Sequence, residues 1–285
     1  MYVSTKFIQC INDMIVAVEA AKQRVTVGED RVPGLMFADD FVGVSETPEG
    51  LQKQIEKALE YTRKWRVTAN VKKCAAVVQY NGDMENPVTF KWKLGEDELP
   101  IADQYTYLGV EISKECAWDA HIAKVLGKSK AHVGKMDAIL TDSHLDTMIK
   151  RCILINGIVP KLEYAEVWEG SAKLVKQLET VQMTAAQKVL GCTSTTSNTV
   201  LRAELGMYPR ETNRDVRKLK WQRKVRNMPK KRLPATADRA VSEQVTTGRA
   251  GIKWESVVEK VWKDIGGNQE EMLSIEKFGG VQDRS

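Results

Sequence analysis

Residues 34–44 of the chain, GLMFADDFVGV, place two adjacent aspartates between two apolar runs. The apolar runs predict two buried strands, and the two-residue interval predicts a hairpin with Asp39 and Asp40 at its tip. Adjacent carboxylates repel each other and are costly to bury. The tip is therefore either an ordinary turn, in which aspartate is common, or a place where two carboxylates face a shared cation.

An amphipathic helix is predicted directly after this hairpin. Thr47 is a suitable N-cap, Pro48 suits the first helical position, and apolar residues recur with helical spacing from Leu51 to Trp65. Further strands are predicted over Cys74–Tyr80, Val88–Leu94 and Leu99–Ile112, with a GEDE turn before the last of them.

After Ser113 the apolar period changes from that of strands to that of helices. We expect Pro160 to stop one helix and Gly191 to end another. A linker is predicted over residues 235–251. The predicted helices are Ile122–Leu140, Leu145–Val159, Val175–Leu190, Arg210–Met228 and Trp254–Trp262. The fold class is therefore α+β: strands and a helix, followed by an all-α half.

Composition and charge exclude several classes of protein. No apolar run approaches the roughly 18 residues of a membrane span, and five scattered cysteines and three distant histidines argue against a zinc site. These features indicate an intracellular protein. Residues 201–285 carry 19 basic and 12 acidic residues, so the positive excess is C-terminal. Such a region fits an anionic partner, and a solvated basic face fits equally well.

The order of motifs resembles a reverse transcriptase of non-LTR, LINE-type retrotransposons. FADD at 37–40 is similar to the central palm motif of that family. Trp65, Asn70 and Lys73 match the next motif, and the segment 107–110 (YLGV) matches the loop that contacts the primer end. The segments PKLEYAEVWEG (160–170), LETVQMTAAQKVLG (178–191) and LRAELGMYP (201–209) are similar to the thumb and connection region. The resemblance runs from about residue 5 to about residue 234.

The resemblance implies a partial palm of antiparallel strands and helices over residues 1–113. A helical thumb or connection over residues 114–205 and a basic helical C-terminal region over residues 206–285 would follow. The implied activity is RNA-directed DNA polymerisation, in which nucleotidyl transfer uses two Mg²⁺ ions on an RNA template and DNA primer duplex.

The resemblance also implies roles for particular residues. Asp39 would be the main metal ligand and Asp40 its neighbouring ligand, while Lys73 would contact the phosphates of the incoming nucleotide; these three are the implied catalytic residues. The implied primer-binding residues are Tyr107, Leu108 and Gly109. Without the flanking motifs, Lys72 and Lys73 would also fit an exposed basic pair before a strand. Tyr107 would likewise fit an ordinary strand residue.

The C-terminal basic helix offers a nucleic-acid-binding surface, with Trp221 stacking on a base or packing inside. We expect Val216, Leu219 and Val225 to form its apolar side. A solvated face is the alternative, and PKKR at 229–232 is also compatible with a nuclear import signal. The candidate nucleic-acid-binding residues are Arg217, Lys220, Arg223, Lys224, Lys230, Lys231 and Arg232.

The sequence departs from the family before the hairpin. The family uses another aspartate, on a strand that precedes the hairpin, to bridge both metals, whereas only 38 residues precede Asp39 here. Asp13 lies in a segment that matches the helix before the hairpin. We therefore expect a truncated or mis-started polymerase reading frame that is inactive alone. The alternative is a non-catalytic nucleic-acid-binding remnant or scaffold protein.

Overall fold

The computed structural model of the chain describes residues 13–79, 89–164, 171–243 and 254–266. Over these residues the fold is α+β, as predicted: helices accompany small two-stranded sheets. The chain divides into two compact units. The first comprises Met1–Gly109, Ser113–Cys116 and Pro229–Thr247, and the second comprises Val110–Ile112, Ala117–Met228 and Gly248–Ser285.

The first unit begins with helix α1, at residues 13–19, and two antiparallel hairpins that lead into helix α2. In the second hairpin Gly34 pairs with Gly43 and Phe37 pairs with Asp40. The elements after α1 are β1 (Val25–Val27), β2 (Asp30–Val32), β3 (Gly34–Phe37), β4 (Asp40–Gly43) and α2 (Pro48–Lys64).

The turn of the β3–β4 hairpin differs from the predicted one by one residue. Ala38 and Asp39 form the turn, and Asp40 is already the first residue of β4. The positive φ of the turn, 50°, falls on Ala38 and on neither aspartate. A left-handed conformation at a residue with a Cβ costs roughly 1–2 kcal/mol. The surrounding pairing therefore holds the tip in a strained conformation that presents Asp39 outward.

Helix α2 begins where the sequence predicts. The Thr47 side chain accepts a hydrogen bond from the amide of Gly50 at 3.1 Å, and Pro48 occupies the first turn. The side chain buried most deeply on this helix is polar: Gln54 is 1% exposed. Its Nε2 donates to the carbonyls of Gln23, Pro33 and Val44 at 2.7, 3.1 and 2.9 Å.

These contacts fix the base of the β3–β4 hairpin, which we call the carboxylate hairpin, to α2. Pro33 and Val44 flank the hairpin, and their own backbone bond closes it at 2.9 Å. A Cβ at position 43 would lie 2.7 Å from Gln54 Oε1, so this close approach requires Gly43. The position of Asp39 and Asp40 therefore depends on one buried amide.

Replacing Gln54 with leucine tests this dependence. The variant keeps the side-chain volume but removes the donor that three carbonyls share, of which only that of Pro33 keeps another bond within the described residues, from the Val44 amide. We therefore expect the free energy of unfolding to fall by about 2–4 kcal/mol. Equilibrium denaturation of the full chain measures it, with the exposed Gln104→Leu as the matched control. A loss equal to that of the control would contradict the anchoring role.

The strand predicted over Cys74–Tyr80 is wrong for its described part, residues 74–79. A 3₁₀ turn, Val71–Lys73, is followed only by an isolated parallel bridge between Ala76 and Ile101. The amide of Ala76 donates to the carbonyl of Pro100 at 2.9 Å, and the amide of Ala102 donates back to the carbonyl of Ala76 at 2.8 Å. Pro100 has no N–H with which to extend this pairing toward Cys74.

The remaining strands of this region are shorter than predicted. They are β5 (Lys93–Leu94), β6 (Asp97–Glu98), β7 (Gln104–Tyr107) and β8 (Val110–Ser113). Residues 80–88, which contain the start of the predicted Val88–Leu94 strand, lie outside the described residues. Trp92 is 2% exposed in a small core with Ala76 and Leu99, and its Nε1 donates to the carbonyl of Pro48 at 3.0 Å.

The linker predicted over residues 235–251 is wrong for its described part. Residues Leu233–Glu243 form helix α10 in the first unit. The Thr236 hydroxyl donates to Asp30 at 2.8 Å, and a Cβ at Gly28 would lie 3.2 Å from Ala240 Cβ. The small side chains that suggested a linker are the ones that allow a helix to lie close to the β1–β2 turn.

The second unit is helical and contains the larger hydrophobic core. Gly191 ends its longest helix with a φ of 64°, as predicted. Its helices are α3 (Asp119–Lys135), α4 (Asp137–Leu140), α5 (Thr147–Ile153), α6 (Val159–Leu162), α7 (Ala172–Leu190), α8 (Asn198–Leu205), α9 (Arg210–Arg226) and α11 (Trp254–Asp264).

The helix expected to stop at Pro160 continues past it. A π-helical turn, Leu154–Ile158, joins α5 to α6, and Pro160 occupies the first turn of α6. The wider turn accommodates a residue that has no N–H to donate. The prediction that proline ends this helix is therefore wrong.

The predicted apolar side of the basic helix α9 is confirmed at Val225 and wrong at Val216. The helix buries Arg210, Arg214, Lys218 and Gln222 together with Val225, whereas Val216 and Trp221 are 42% and 37% exposed. Arg210 donates to Glu163 at 3.0 Å and to the carbonyl of Leu162 at 3.3 Å. Glu163, directly after α6, pairs with the guanidinium of Arg210. This pairing allows an arginine to be buried on a helix face that would otherwise favour an apolar residue.

A buried histidine couples β8 to α3 in the second unit. His121 is 0% exposed; its Nδ1 accepts from the amide of Glu111, and its Nε2 lies 3.3 Å from the carbonyl of Tyr164. These partners require the neutral form with the proton on Nε2. Burial lowers the pKa of His121, and Lys124 and Lys128 act in the same direction.

Acid should therefore destabilise the second unit. Because the folded pKa of His121 is lowered, its contribution is fully present above the unfolded value of about 6.5 and is lost as pH falls toward the folded pKa. The denaturation midpoint of the parent chain should fall as the pH is lowered from 8 to 5. The control His144→Gln, at an exposed histidine, should show the same fall. A His121→Gln variant that keeps the same slope would contradict this account.

Candidate functional site

The hairpin tip presents two carboxylates to solvent. Asp39 lies in the turn and Asp40 begins β4, and both are exposed. Phe37, the cross-strand partner of Asp40, is 64% exposed. Carboxylate oxygens in this position suit a hard cation such as Mg²⁺.

Lys73 is placed by a contact that the sequence does not reveal. It ends the 3₁₀ turn Val71–Lys73, its side chain is exposed, and its amide donates to the carbonyl of Asn70 at 2.9 Å. The hydroxyl of Tyr105, on β7, donates to the carbonyl of Lys73 at 2.5 Å. Strand β7 therefore holds the turn that carries the lysine.

The same strand lies near the hairpin. Burial raises the pKa of Tyr107, and the charge of Asp40 raises it further. For Tyr105 burial again raises the pKa most, followed by Cys74 and Asp40. In the first unit Tyr105 therefore contacts the Lys73 carbonyl, and the charge of Asp40 reaches both tyrosines; we call these four residues the carboxylate–tyrosine cluster.

The turn after β7 has an unusual backbone. Leu108 has a φ of 48° and Gly109 a φ of 81°, and both residues are exposed. A leucine in the left-handed region is uncommon and costs energy, so the turn is held by its flanking strands. Its exposed backbone could lie against an extended ligand strand.

The comparison with known proteins agrees with the motifs. The chain is 28% identical over 134 residues to the RNA-directed DNA polymerase from mobile element jockey of Drosophila funebris. The resemblance to reverse transcriptases of non-LTR retrotransposons is confirmed. The match covers 43% of this chain and 14% of that polymerase. No protein-family profile matches the chain.

The reverse-transcriptase reading requires a metal site, and the donors do not complete one. Across the described ranges, no three acidic, histidine or cysteine side chains come together in a way that could hold a metal ion. Asp39 and Asp40 have the right chemistry for Mg²⁺ but are too few for two ions.

The basic residues expected to bind nucleic acid are all exposed, but they fall in both units. Arg217, Lys220, Arg223 and Lys224 lie on α9 in the second unit, where Arg217 also pairs with Glu163. Lys230, Lys231 and Arg232 belong to the first unit. In the part of the chain that the structure describes, no helix is long and apolar enough to cross a membrane.

Sequence reasoning missed a second basic cluster, on α3 and α6. Lys161 Nζ lies 2.8 Å from His132 Nδ1, and Lys128 and Lys135 lie one turn away on α3. Burial lowers the pKa of His132 most, and the charges of Lys161 and Lys135 lower it further. The spacing of 128, 132 and 135 marks one helix face and could have indicated this cluster, whereas the Lys161 contact could not be foreseen.

Removing the charge of Asp40 tests the carboxylate–tyrosine cluster. Because the Asp40 carboxylate disfavours tyrosinate, Asp40→Asn should lower the pKa of Tyr107 and of Tyr105 toward the usual value. An NMR titration with ¹³C-labelled tyrosine measures both, with Asp39→Asn as the neighbouring control. Equal tyrosine pKa values in the parent chain and Asp40→Asn would show that the cluster does not form.

Proposed function

We propose that the chain is part of the polymerase region of a non-LTR retrotransposon reverse transcriptase. Residues 1–113 would be an incomplete palm, residues 114–205 the helical thumb and connection, and residues 206–285 a basic C-terminal region. The observation that supports the proposal is the bond from the Tyr105 hydroxyl to the Lys73 carbonyl, which joins the turn that carries Lys73 to the strand before Leu108 and Gly109. The similarity to the jockey polymerase supports the same assignment.

Within this proposal the residues of the first unit have distinct roles. Asp39 would be the main Mg²⁺ ligand and Asp40 the second, because both carboxylates face solvent at the hairpin tip. Lys73 would contact the phosphates of the incoming nucleotide as a point charge. Tyr107, Leu108 and Gly109 would lie against the primer strand, where the exposed turn lets backbone approach backbone.

The chain alone would not synthesise DNA. A two-metal mechanism needs ligands that hold both ions in line with the 3′ hydroxyl, and the described residues contain no group of three acidic, histidine or cysteine side chains that could do so. This deficit favours a second candidate function, a non-catalytic nucleic-acid-binding or scaffold protein derived from the same ancestor. The partner in both cases is an RNA template and DNA primer duplex.

A primer-extension assay separates these two functions. With poly(rA)·oligo(dT), dTTP and Mg²⁺ or Mn²⁺, we expect no extension by the full chain, while an active reverse transcriptase extends the same primer. Extension by this chain that is lost in Asp39→Asn would establish the enzyme and contradict the proposed inactivity. Extension that survives Asp39→Asn would point to a contaminating polymerase.

Nucleic-acid binding is tested by its salt dependence. Neutralising Lys220, Arg223 and Lys224 to glutamine should weaken binding of an RNA–DNA duplex and reduce the slope of log K against log salt by about 2–3, because each phosphate contact contributes about 0.9. The matched control replaces three exposed lysines elsewhere, Lys53, Lys173 and Lys176. Equal slopes in both variants would remove the α9 surface from the proposal.

A further inference from the structure

We propose that Tyr105 is a positioning residue for Lys73: its hydroxyl holds the Val71–Lys73 turn and ties it to the strand that leads into the Leu108–Gly109 turn. This inference rests on the proposed function, since it gives the nucleotide-contacting lysine and the primer-contacting turn a shared support. Tyr105 has no role in the motifs that carry the family resemblance.

The Tyr105 hydroxyl bonds to a backbone segment that has few hydrogen bonds of its own. The Val71–Lys73 segment is a single 3₁₀ turn, held by the bonds from Lys73 to Asn70 and from Cys74 to Val71 at 2.9 and 3.0 Å. One such turn has poor hydrogen-bond geometry and little stability of its own. The hydroxyl of Tyr105 donates to the Lys73 carbonyl at 2.5 Å across 32 residues of sequence. It therefore fixes the end of the turn from which the lysine projects.

Strand β7 carries this contact to the neighbouring groups. Tyr105 and Tyr107 are the two partly buried residues of β7 and lie on the same side of the strand. The charge of Asp40 raises the pKa of both tyrosines beyond the effect of burial. One residue beyond Tyr107 the strained turn begins, with φ values of 48° at Leu108 and 81° at Gly109. Strand β7 thus links the Val71–Lys73 turn to the Leu108–Gly109 turn.

The hydroxyl is kept in the state that can donate. Burial raises the pKa of Tyr105 first, and Cys74 and Asp40 raise it further. Tyr105 therefore remains protonated at neutral pH. A phenylalanine at this position keeps the ring and removes only the donor.

Amide hydrogen exchange of the full chain tests the positioning directly. In Tyr105→Phe we expect the amides of Lys73 and Cys74 to exchange about 3- to 10-fold faster, because one hydrogen bond that closes the turn is lost. Exchange in helix α7 should not change. Tyr208→Phe, at an exposed tyrosine of the second unit, is the matched control and should leave all these amides unaffected. Unchanged exchange at Lys73 and Cys74 in Tyr105→Phe would overturn the inference.

A second measurement connects the positioning to the proposed function. Inorganic triphosphate with Mn²⁺ should protect Lys73 of the parent chain from acetylation, with Lys72 as the internal reference read by mass spectrometry. In Tyr105→Phe, half-protection should need about 3- to 10-fold more triphosphate, and Tyr208→Phe should match the parent chain. Equal half-protection in Tyr105→Phe and the parent would overturn the functional part of the inference. Absence of protection in the parent chain would contradict the phosphate role of Lys73, while the exchange result still decides the positioning.

Discussion

The buried amide of Gln54 is the contact on which the candidate site depends. It donates to three backbone carbonyls that belong to the connection after α1 and to both sides of the carboxylate hairpin. A buried carbonyl without a donor costs more free energy than a typical hydrogen bond gains. Losing the Gln54 amide would therefore destabilise all the segments that it joins. Helix α2, the base of the hairpin and Gly43 are consequently fixed with respect to one another.

A second contact, from Tyr105 to Lys73, positions the other residues of the candidate site. The hairpin presents Asp39 and Asp40, but the lysine and the exposed turn come from segments that are distant in sequence. Tyr105 joins one of them, the Val71–Lys73 turn, to β7, and β7 continues into Leu108 and Gly109. Strained φ values at Ala38 and Leu108 mark the two turns that face outward. Strain is maintained where surrounding contacts over-determine the backbone, as they do at both turns.

The sequence predicts the features that depend on neighbouring residues. The N-cap at Thr47, the helix end at Gly191 and the aspartate hairpin itself follow from local rules, and the structure has all three. The features that depend on distant partners could not be predicted. Nothing near Arg210 indicates that Glu163, 47 residues earlier, receives its guanidinium and permits its burial. Likewise, the sequence of 74–79 does not show that its pairing stops at a single bridge with Ile101, next to Pro100, which has no N–H to donate.

The central proposal is that the hairpin carboxylates, Lys73 and the β7 tyrosines lie close enough together for one divalent cation at Asp39 and Asp40 to affect them all. Paramagnetic broadening by Mn²⁺ in NMR spectra of the full chain tests it most directly. The account predicts that Mn²⁺ broadens the signals of Asp39, Asp40, Tyr105, Tyr107 and the Lys73 amide together, and that an Asp39→Asn, Asp40→Asn double variant abolishes the effect. Broadening that spares Tyr107 and Lys73, or that persists in the double variant, would contradict it.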